Sequence, residues 1–584
     1  MSVEQTSMNQ LITDNIDVWS STVKTKSASG RGSSKKRELY GVKKLRELIL
    51  ELAVRGKLVP QDPMDEPASV LLERIAEEKA LLVKEKKIKK SKSLSKIANE
   101  DEPFVLPQGW AWSRLGNAGI GATGKTPSTK QTEFFEGKLP FVGPGQITQN
   151  GQLLEAEKFL SSEGLLHSTE AVQGDILMVC IGGSIGKAAL ATQTIGFNQQ
   201  INALRPLIME SDYLYAAVST NSFYEGLLDK ATGSATPIIN RGKWEELLVP
   251  IAPLSEQHRI VAKVDELMTL CDQLDQQTEA SITVHQVLVT TLLDTLTNSA
   301  DADELMQNWA RISEHFDTLF TTEASIDQLK QTILQLAVMG KLVPQDPNDE
   351  PAAKLLERIA EEKAQLIKDK KIKKQKALPP IADDEKPFEL PNGWEWCRLP
   401  DLGELARGKS KHRPRNDPKL YEGGSIPLVQ TGDVARANGT IQTYTAKYNE
   451  FGLAQSQLWP KGTLCITIAA NIADTATLGF DACFPDSVVG YTPYDKEIPT
   501  VYFDYFIKTA KENLERFAPS TAQKNINLEI LSNVLVPCPP KLQFSRIIEK
   551  VDVLLGICDD LKARLKESQA TQLHLTNAIV EQAV

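Results

Sequence analysis

The octapeptide GKLVPQDP occurs twice in this chain, at residues 56–63 and again at residues 340–347. Its surroundings recur with it, as LAVRGKLVPQDPMDEPA in the first copy and LAVMGKLVPQDPNDEPA in the second. Glycine favours the end of a helix, and the two prolines prevent that helix from continuing. Each copy therefore predicts a joint between one helix and the next. The two copies together predict a duplicated architecture.

The repeat extends well beyond the octapeptide. Its other members are LLERIAEEKA (71–80 and 355–364), FVLPQGWAWSRL (104–115, with FELPNGWEWCRL at 388–399) and KVDELMTLCDQL (263–274, with KVDVLLGICDDL at 550–561). Between these segments lie two stretches, about 115–247 and 399–534, whose sequences have diverged. A repeat of this kind decides architecture, so the chain is read as two tandem halves with a shared frame and different inserts.

Each half carries an apolar seam at alternating spacings of four and three residues. The seams are Ile260, Val264, Leu267, Cys271 and Leu274 in the first half, and Ile547, Val551, Leu554, Cys558 and Leu561 in the second. This 3.5-residue period is typical of helices that pack along their length. Two independent amphipathic helices are one interpretation. The shared register favours the other, in which the two seams face each other in an antiparallel coiled coil.

The diverged stretches contain short apolar runs bounded by glycine and proline, such as GDILMVCIGG and GTLCITIAA, which predict strands. Helices are expected near 211–230 and 500–516. The predicted fold class is α+β, with two half-repeats that each combine a globular domain with long helices. The predicted boundaries are an N-terminal extension (1–40), a first helical region (41–103), a first globular domain (104–252), a central helical region (253–387), a second globular domain (388–540) and a C-terminal helix (541–584). Within the extension, STVKTKSASGRGSSKK is expected to be flexible, whereas LITDNIDVW is a candidate to dock on a partner.

Composition narrows the class of protein. The chain has 584 residues, of which 41% are hydrophobic and 24% charged, as in soluble globular proteins. No apolar run approaches the roughly 18–20 residues of a membrane helix, and the N-terminus lacks a signal-peptide pattern, so we expect a cytoplasmic protein. The seven scattered cysteines are expected to be reduced core thiols, and the six isolated histidines predict no metal site. A net charge of −10 reflects bulk behaviour and does not exclude local basic patches that bind nucleic acid.

Two segments fit the phosphate-binding pattern G-x4-G-K-[ST], at Gly119–Thr126 and Gly403–Ser410. A duplicated P-loop NTPase is therefore one alternative. That chemistry needs a buried strand before the loop and a helix after it, and Pro127 in the first copy and KHRPRNDP in the second oppose such a helix. A Gly-Lys-Ser/Thr turn followed by basic residues also suits DNA phosphates.

Other catalytic patterns are not evident in the sequence. No glycine-rich AdoMet loop with a downstream [ND]PP[YF] is seen, and the nearest match, Pro537–Pro540, lacks both the Asn/Asp and the aromatic residue. No nuclease carboxylate–lysine set and no helicase motifs are evident. The sequence predicts a non-catalytic chain without its own cofactor. A coiled-coil scaffold that does not bind DNA is a further alternative.

Several motifs, taken in order, resemble one known family. They are the duplicated GKLVPQDP frame, the LPxGWxWxRL segments, GKTPS…FFEGKLPFV (124–142), GDILMVCIGGSIGKAAL…FNQQINAL (174–204) and LVPIAPLSEQHRIVAKVDEL (248–267). In this order the chain resembles the specificity subunits of type I restriction–modification systems, in the long form with an N-terminal extension. The second half departs in detail, with KGTLCITIAANIADTATL (461–478) in place of the GGSIGKAAL form.

The resemblance implies a division of labour. Each diverged stretch would be a target recognition domain that reads one half of a split double-stranded DNA site, held by the helical frame. Two modification subunits, which bind AdoMet and methylate adenine N6, would dock on that frame. Restriction subunits, which use ATP and Mg²⁺ for translocation and cleavage, would join them. This chain would have no catalytic residues, no metal and no membrane partner.

DNA-binding candidates are polar residues able to reach base edges or phosphates. In the first half they are Lys125, Thr126, Ser128, Lys130, Asn198, Gln199, Gln200, Ser234, Thr236 and Asn240. In the second half they are Lys409, Lys411, His412, Arg413, Arg415, Thr521, Gln523 and Lys524. The lysine-rich runs at 84–96 and 368–376 are interpreted as solvated helix faces or partner contacts, with phosphate contact as an alternative.

Overall fold

The computed structural model describes residues 8–26, 36–90, 92–233, 235–372, 374, 378–469, 471–516 and 526–584. The chain forms two compact units. Unit 1 is Met1–Ile282 with Ser568–Val584, and unit 2 is Thr283–Glu567. Each unit combines helices with β-sheet, which confirms the predicted α+β fold of two tandem halves. The six finer boundaries given above stay predictions.

Unit 1 contains long frame helices and a globular part. Its helices are α1 (Met8–Asp14), α2 (Ile16–Ser21), α3 (Tyr40–Val54), α4 (Ala68–Lys84), α5 (Ser162–Leu166), α6 (Ser211–Val218), α7 (Asn221–Lys230), α8 (Arg241–Glu245) and the first part of α9 (Leu254–Asn298). Its strands are β1 (Val23–Lys26), β2 (Lys36–Leu39), β3 (Ala111–Arg114), β4 (Gly119–Thr123), β5 (Leu139–Val142), β6 (Lys158–Leu160), β7 (Glu170–Ala171), β8 (Ile176–Val179), β9 (Ala188–Leu190), β10 (Ile195–Phe197), β11 (Ile201–Pro206) and β12 (Leu248–Ile251). The helix expected near 211–230 is two helices, because the Thr220 side chain caps α7 by accepting a hydrogen bond from Phe223 N at 3.2 Å.

The globular part of unit 1 is built on two four-stranded sheets, with strand orders β6-β5-β10-β7 and β4-β11-β8-β9. All four residues of β8 are buried, as its continuous apolar sequence ILMV requires. A separate antiparallel pair, β3 with β12, joins the two ends of the diverged stretch, in register from Arg114 opposite Leu248 to Ala111 opposite Ile251. The diverged stretch therefore begins and ends at one place on the frame.

Unit 2 repeats this plan. Its helices, besides the remainder of α9, are α10 (Ala302–Glu314), α11 (Phe316–Leu319), α12 (Glu323–Val338), α13 (Ala352–Lys368), α14 (Leu399–Leu402), α15 (Thr431–Arg436), α16 (Glu450–Ala454), α17 (Thr500–Arg516), α18 (Leu528–Asn533) and most of α19 (Lys541–Ala583). Its strands are β13 (Glu395–Arg398), β14 (Gly403–Arg407), β15 (Ile426–Leu428), β16 (Thr440–Ile441), β17 (Ala446–Tyr448), β18 (Leu458–Trp459), β19 (Leu464–Thr467), β20 (Thr475–Leu478), β21 (Ala482–Cys483), β22 (Val488–Pro493) and β23 (Leu535–Cys538). The sheets run β14-β22-β19-β20-β16 and β17-β15-β21-β18, and β13 pairs with β23 as β3 pairs with β12.

The first GKLVPQDP loop ends α3 in the way its glycine predicts. Gly56 lies in the left-handed region at φ +66°, and Lys57 N donates to Leu52 O at 2.9 Å, which closes the last turn. A Cβ atom at Gly56 would lie 2.4 Å from the Pro107 ring. Both the backbone conformation and the close approach of the LPQGW segment therefore require glycine here.

Side chains of this loop then tie three elements together. Gln61 Nε2 donates to Gly56 O at 2.6 Å and to Glu256 Oε1 at 3.1 Å, and Trp110 Nε1 donates to Glu256 Oε2 at 2.9 Å. Asp65 forms an ion pair of 2.6 Å with Arg259. We call this assembly of loop, LPxGW segment and first turns of the long helix the joint.

The second joint has the same construction. Its contacts are Gly340 at φ +72°, Lys341 N to Leu336 O at 2.9 Å, Gln345 Nε2 to Gly340 O at 2.7 Å, Trp394 Nε1 to Gln543 Oε1 at 3.1 Å, and the ion pair of Arg546 with Asp349. The octapeptide is thus a partnered helix–loop–helix connection in both units.

Each helix seam packs on the shorter frame helix of its own unit. In unit 1, Ile260, Leu267 and Cys271 of α9 share a buried cluster with α3, and Arg46 of α3 pairs with Asp272 and Asp275 at 2.7 Å each. In unit 2, the seam of α19 shares a cluster with α12. There Lys330 pairs with Asp559 and Lys562 pairs with Asp327.

That the two seams face each other stays a prediction. Each seam belongs to a different unit and covers the shorter frame helix of its own half. A 3.5-residue period shows that one face of a helix is buried, but it does not identify the partner.

Both long helices nevertheless contribute to both units, in opposite chain directions. Unit 1 holds residues 254–282 of α9 and 568–584 at the end of the chain, and unit 2 holds residues 283–298 and 541–567. In unit 1, Ile579 and Val580 pack against the cluster that contains Ile260. The antiparallel sense expected of α9 and α19 is thus found within each unit.

The N-terminal segment LITDNIDVW packs within its own unit. Trp19 is fully buried, in one cluster with α3. Within STVKTKSASGRGSSKK, β1 pairs with β2 from Val23 opposite Leu39 to Lys26 opposite Lys36. The expectation of flexibility stays a prediction, and residues 27–35 lie outside the described residues. The helices α1 and α2 precede α3 as α10 and α11 precede α12, with NIDVWSST (15–22) corresponding to HFDTLFTT (315–322).

All seven cysteines are buried free thiols, as expected. Burial raises the pKa of Cys180 to about 12, so this thiol is held neutral and unreactive at physiological pH.

Candidate nucleic-acid interface

One edge of the unit 1 sheets collects several predicted DNA-binding residues. Strands β5 and β10 are parallel, with Phe197 opposite Val142, so their carboxyl ends meet at the same edge. Asn198–Gln200 follow β10 directly, and Asn198 N donates to Val142 O at 3.0 Å. The polar triplet is thereby fixed at the end of two strands while Gln199 remains exposed.

The segment after β4 reaches the same edge. Lys125 N donates to Phe197 O at 2.9 Å, and the Thr126 hydroxyl donates to Gln199 Oε1 at 2.6 Å. The Ser168 hydroxyl donates to Lys125 O at 2.8 Å. With its backbone held on both sides, Lys125 extends an exposed ammonium group beside the polar triplet.

Ser128 and Lys130 continue this loop and are exposed. The Ser128 carbonyl accepts a hydrogen bond from Gln131 N at 3.1 Å, which turns the chain away. These two residues lie on the same loop as Thr126 and are farther along it from the triplet.

The segment after α7 lies next to Asn198–Gln200, because both segments bond to Cys180, the residue that follows β8. Cys180 N donates to Gln200 O at 2.8 Å, and Cys180 O accepts from Ile239 N at 3.0 Å. Thr236 is exposed here. Asn240 also stabilises a helix, because its side-chain oxygen caps α8 by accepting a hydrogen bond from Lys243 N at 2.9 Å. Ser234 lies outside the described residues. We call Lys125–Lys130, Asn198–Gln200 and Thr236–Asn240 face 1.

Unit 2 presents the corresponding edge. Gly408 N donates to Val488 O at 2.9 Å, and the Ser456 hydroxyl donates to Lys409 O at 2.9 Å, which repeats the contact of Ser168 with Lys125. We call Lys409–Arg415 together with Asp486–Ser487 face 2. Thr521, Gln523 and Lys524 lie outside the described residues.

Face 2 carries arginines and an acid where face 1 carries two lysines and neutral polar side chains. Arg415 pairs with Asp486 Oδ2 at 2.6 Å, and Arg413 approaches the same oxygen at 3.9 Å. These guanidinium side chains remain 50% and 56% exposed, so both can still reach another acceptor. His412 Nε2 lies 2.8 Å from Asp417 Oδ2, and this hydrogen bond lowers the pKa of Asp417. Lys409 and Lys411 are exposed.

Asp486 and Ser487 of face 2, and Arg407 beside them, were missed in the sequence. Asp486 corresponds to Gln199, because FPDSV (484–488) follows FNQQI (197–201) at the same offset of 287 that relates the long helices. Ile468 N donates to Ser487 O at 3.0 Å, as Cys180 N does to Gln200 O. Arg407 Nε donates to Asp486 O. The shared F-x-x-x-[IV] spacing was the available signal.

Neither G-x4-G-K-[ST] match folds as a phosphate-binding loop. Gly119–Thr123 and Gly403–Arg407 are edge strands, paired with β11 and β22, and the described residues directly after Lys125 and Lys409 form no helix. A Cβ atom at Gly124 would lie 1.9 Å from Asn198 O, and one at Gly408 would lie 2.3 Å from Pro485 O. These glycines permit close packing of the sheet edge, so the NTPase alternative is not supported.

Two further searches cover the described part of the chain only. It contains no helix that is both long and apolar enough to cross a bilayer. Within the same residues, no group of three or more His, Cys, Asp and Glu side chains is arranged to hold a metal ion.

Comparison with known proteins agrees with this geometry. The family model for the type I restriction modification DNA specificity domain matches residues 107–284 and again 391–568. The chain is 40% identical to the type I restriction enzyme EcoAI specificity subunit of Escherichia coli, over 99% of this chain and 100% of that protein. It is also 40% identical to the EcoEI specificity subunit of Escherichia coli, again over 99% and 100%.

Among solved structures, a chain from a study of complex assembly and conformational transition of the type I R-M system is 18% identical. The match covers 82% of this chain and 99% of that chain, with a TM-score of 0.49. The two specificity domains and the full-length relatives define the class, and the chain belongs to the family of type I restriction–modification specificity subunits. The relatives are named as specificity subunits and not as catalytic ones.

Proposed function

We propose that this chain selects the DNA sequence for a type I restriction–modification complex, with face 1 and face 2 each reading one half of a split double-stranded site. The observation that carries this is the correspondence of the two faces. Their backbones are held by matching hydrogen bonds, such as those of Ser168 and Ser456, while Gln199 in one stands where Asp486 stands in the other. A constant scaffold with different exposed groups is what two different half-sites require.

The side chains suggest which bases each face prefers. Beside its two lysines, face 1 offers amides and hydroxyls, and Asn or Gln amides match the N6 and N7 groups of adenine. Face 2 offers guanidinium and ammonium groups, which match O6 and N7 of guanine. We infer that Gln199 or Asn198 reads an A·T pair in the first half-site, and that Arg413 or Arg415 reads a G·C pair in the second.

The frame supports two copies of the same partner. On α4 the exposed residues Glu73 and Glu77 recur on α13 as Glu357 and Glu361. Since exposed positions have no packing reason to stay alike, a common partner accounts for their identity. We infer that two modification subunits carrying AdoMet dock here and that restriction subunits using ATP and Mg²⁺ join them. We also infer a cytoplasmic location.

The test uses the complex of this chain with its modification subunits. Methylation of a random-sequence DNA library is mapped by sequencing, and we expect one split motif. Arg415→Ala is expected to relax one base pair in one half-site by about 5- to 150-fold, the equivalent of a bidentate contact worth about 1–3 kcal/mol. Gln199→Ala is the matched control and is expected to relax the other half-site only.

Two outcomes would contradict the proposal. In one, both variants alter the same half-site. In the other, the complex shows no salt-sensitive and sequence-selective DNA binding, which is the result that a protein-binding scaffold predicts.

A further inference from the structure

The turn between β8 and β9, residues Gly182–Lys187, lies between two segments of face 1. Just before it, Cys180 N donates to Gln200 O at 2.8 Å, and at its start Gly182 N donates to Pro237 O at 2.9 Å. The turn is therefore bonded into the same edge as the polar triplet and the segment after α7. It was not among the predicted DNA-binding residues.

Contacts and backbone conformation within the protein explain two of the three glycines in this turn. Gly182 and Gly186 adopt φ +88° and +85°, a region that side chains rarely occupy. A Cβ atom at Gly186 would also lie 2.4 Å from the Tyr224 ring. Gly183 differs from both, since its φ is not in the left-handed region. A Cβ atom there would meet no heavy atom of the described residues within 4 Å.

Glycine at 183 thus has neither a conformational nor a packing reason within the described chain. Glycine loses more conformational freedom on folding than any other residue, so its use at an open position needs an explanation. Close approach of another backbone or of a ligand is the usual one. Gly183 is exposed, so that approach comes from outside the protein.

The backbone donors of the turn indicate the chemistry of what approaches. The N–H groups of Gly182, Ile185, Gly186 and Lys187 all donate to backbone carbonyls. Among the described residues, the N–H groups of Gly183 and Ser184 donate to no acceptor. Consecutive N–H groups that follow a residue at positive φ form an anion-binding concavity, and Lys187 adds a positive charge to the turn.

We infer that Gly183 and Ser184 hold a DNA phosphate in the half-site read by face 1. This inference rests on the proposed function and adds a backbone anchor to the base-reading residues. The corresponding turn of unit 2 differs. Ala473 occupies φ +58°, and Asp474 contributes an acid that pairs with Lys511 at 2.5 Å. We therefore assign the phosphate anchor to the first half-site, where Lys187 stands in place of the acid.

The experiment uses Gly183→Val in the assembled complex and a duplex that carries the methylated motif. Because no described atom lies within 4 Å of the new Cβ position, we expect an unchanged melting temperature. Binding of the duplex is expected to weaken by at least tenfold. Gly556→Ala is the control, since it too has no atom within 4 Å, and we expect it to leave DNA binding unchanged.

Phosphate ethylation interference locates the contact. We expect one phosphate of the first half-site at which ethylation weakens binding of the wild-type complex but not of Gly183→Val. The inference is overturned if the variant binds as tightly as the wild type, or if its interference pattern is the same. A wild-type complex without sequence-selective binding would overturn the proposed function as well. Selective binding that Gly183→Val leaves intact would overturn the anchor alone.

Discussion

The joints and the faces each occur twice, and the two kinds of region repeat in different ways. In the joints, side chains and contacts recur together, as when Gln61 and Gln345 each bind the carbonyl of the preceding glycine at 2.6 and 2.7 Å. On the faces, backbone contacts recur while the exposed side chains change, as with Gln199 and Asp486. Sequence has been retained where side chains are partnered internally and has diverged where they point outward.

This difference follows from what each substitution costs. The central joint side chains, such as Trp110 with Glu256 and Trp394 with Gln543, are buried and hydrogen-bonded, so removing one leaves a cavity or an unpaired polar group. Side chains on the faces are exposed on strand ends whose backbone is fixed by neighbouring strands. They can change with little effect on folding, which lets one scaffold carry two specificities.

The largest expected effect comes from removing the tryptophan of a joint. Trp110 and Trp394 are 8% and 5% exposed, so Trp110→Ala and Trp394→Ala should each lower the free energy of unfolding of their unit by about 3–5 kcal/mol. Chemical denaturation followed by circular dichroism measures this. Val105→Ala, in the same segment but 93% exposed, should cost less than about 0.5 kcal/mol. A cost below about 1 kcal/mol in only one unit would show that the joints are not energetically equivalent.

A smaller effect, on DNA and not on folding, is expected at face 2. Asp486→Asn removes the charge that holds Arg415 at 2.6 Å. The freed guanidinium should bind non-cognate DNA more tightly and reduce discrimination in the second half-site by about 1–3 kcal/mol. Competition binding at several salt concentrations measures both effects.

Asp383→Asn provides the control for this variant. It changes the net charge equally at a site 97% exposed that belongs to neither face, and should leave discrimination unchanged. If the two variants behave alike, the effect is one of bulk charge and Asp486 has no special role.

The repeated frame was predictable because its signals are local. Helix ends at Gly56 and Gly340 follow from glycine and proline chemistry within a few residues. The faces were only half predictable. Lys125 and Gln199 are 74 residues apart, and the antiparallel pairing of β4 with β11 brings them together. No local pattern records such a pairing.

Two other features could not be predicted from the sequence, for physical reasons. The seam periodicity predicted which face of each long helix is buried. It did not predict which helix packs there, because α3 and α12 both offer apolar surfaces. The correspondence of α1 and α2 with α10 and α11 was hidden because β1 and β2 intervene before α3 in the first half only.

The smallest expected effect tests a buried chemical difference between the joints. Glu256 and Gln543 occupy the same position, and both are buried. Burial raises the pKa of Glu256, although hydrogen bonds from Trp110 and Gln61 oppose the rise. At neutral pH, Glu256→Gln should change the unfolding free energy of unit 1 by about 1 kcal/mol or less, because losing charge-assisted hydrogen bonds offsets the relief of charge burial.

The difference in unfolding free energy between the wild type and Glu256→Gln should depend on pH, and this dependence is the sharper test. A carboxyl group whose pKa is raised on folding contributes stability that is fully present below its unfolded pKa of about 4.3 and is lost as pH rises through the folded value. The wild-type chain should therefore lose stability relative to Glu256→Gln as pH rises above about 4.3. Gln543→Glu should introduce the same loss in unit 2. Denaturation series from acid to neutral pH measure both, and a flat difference for Gln543→Glu would mean that the two joints surround this position differently, despite their matching contacts.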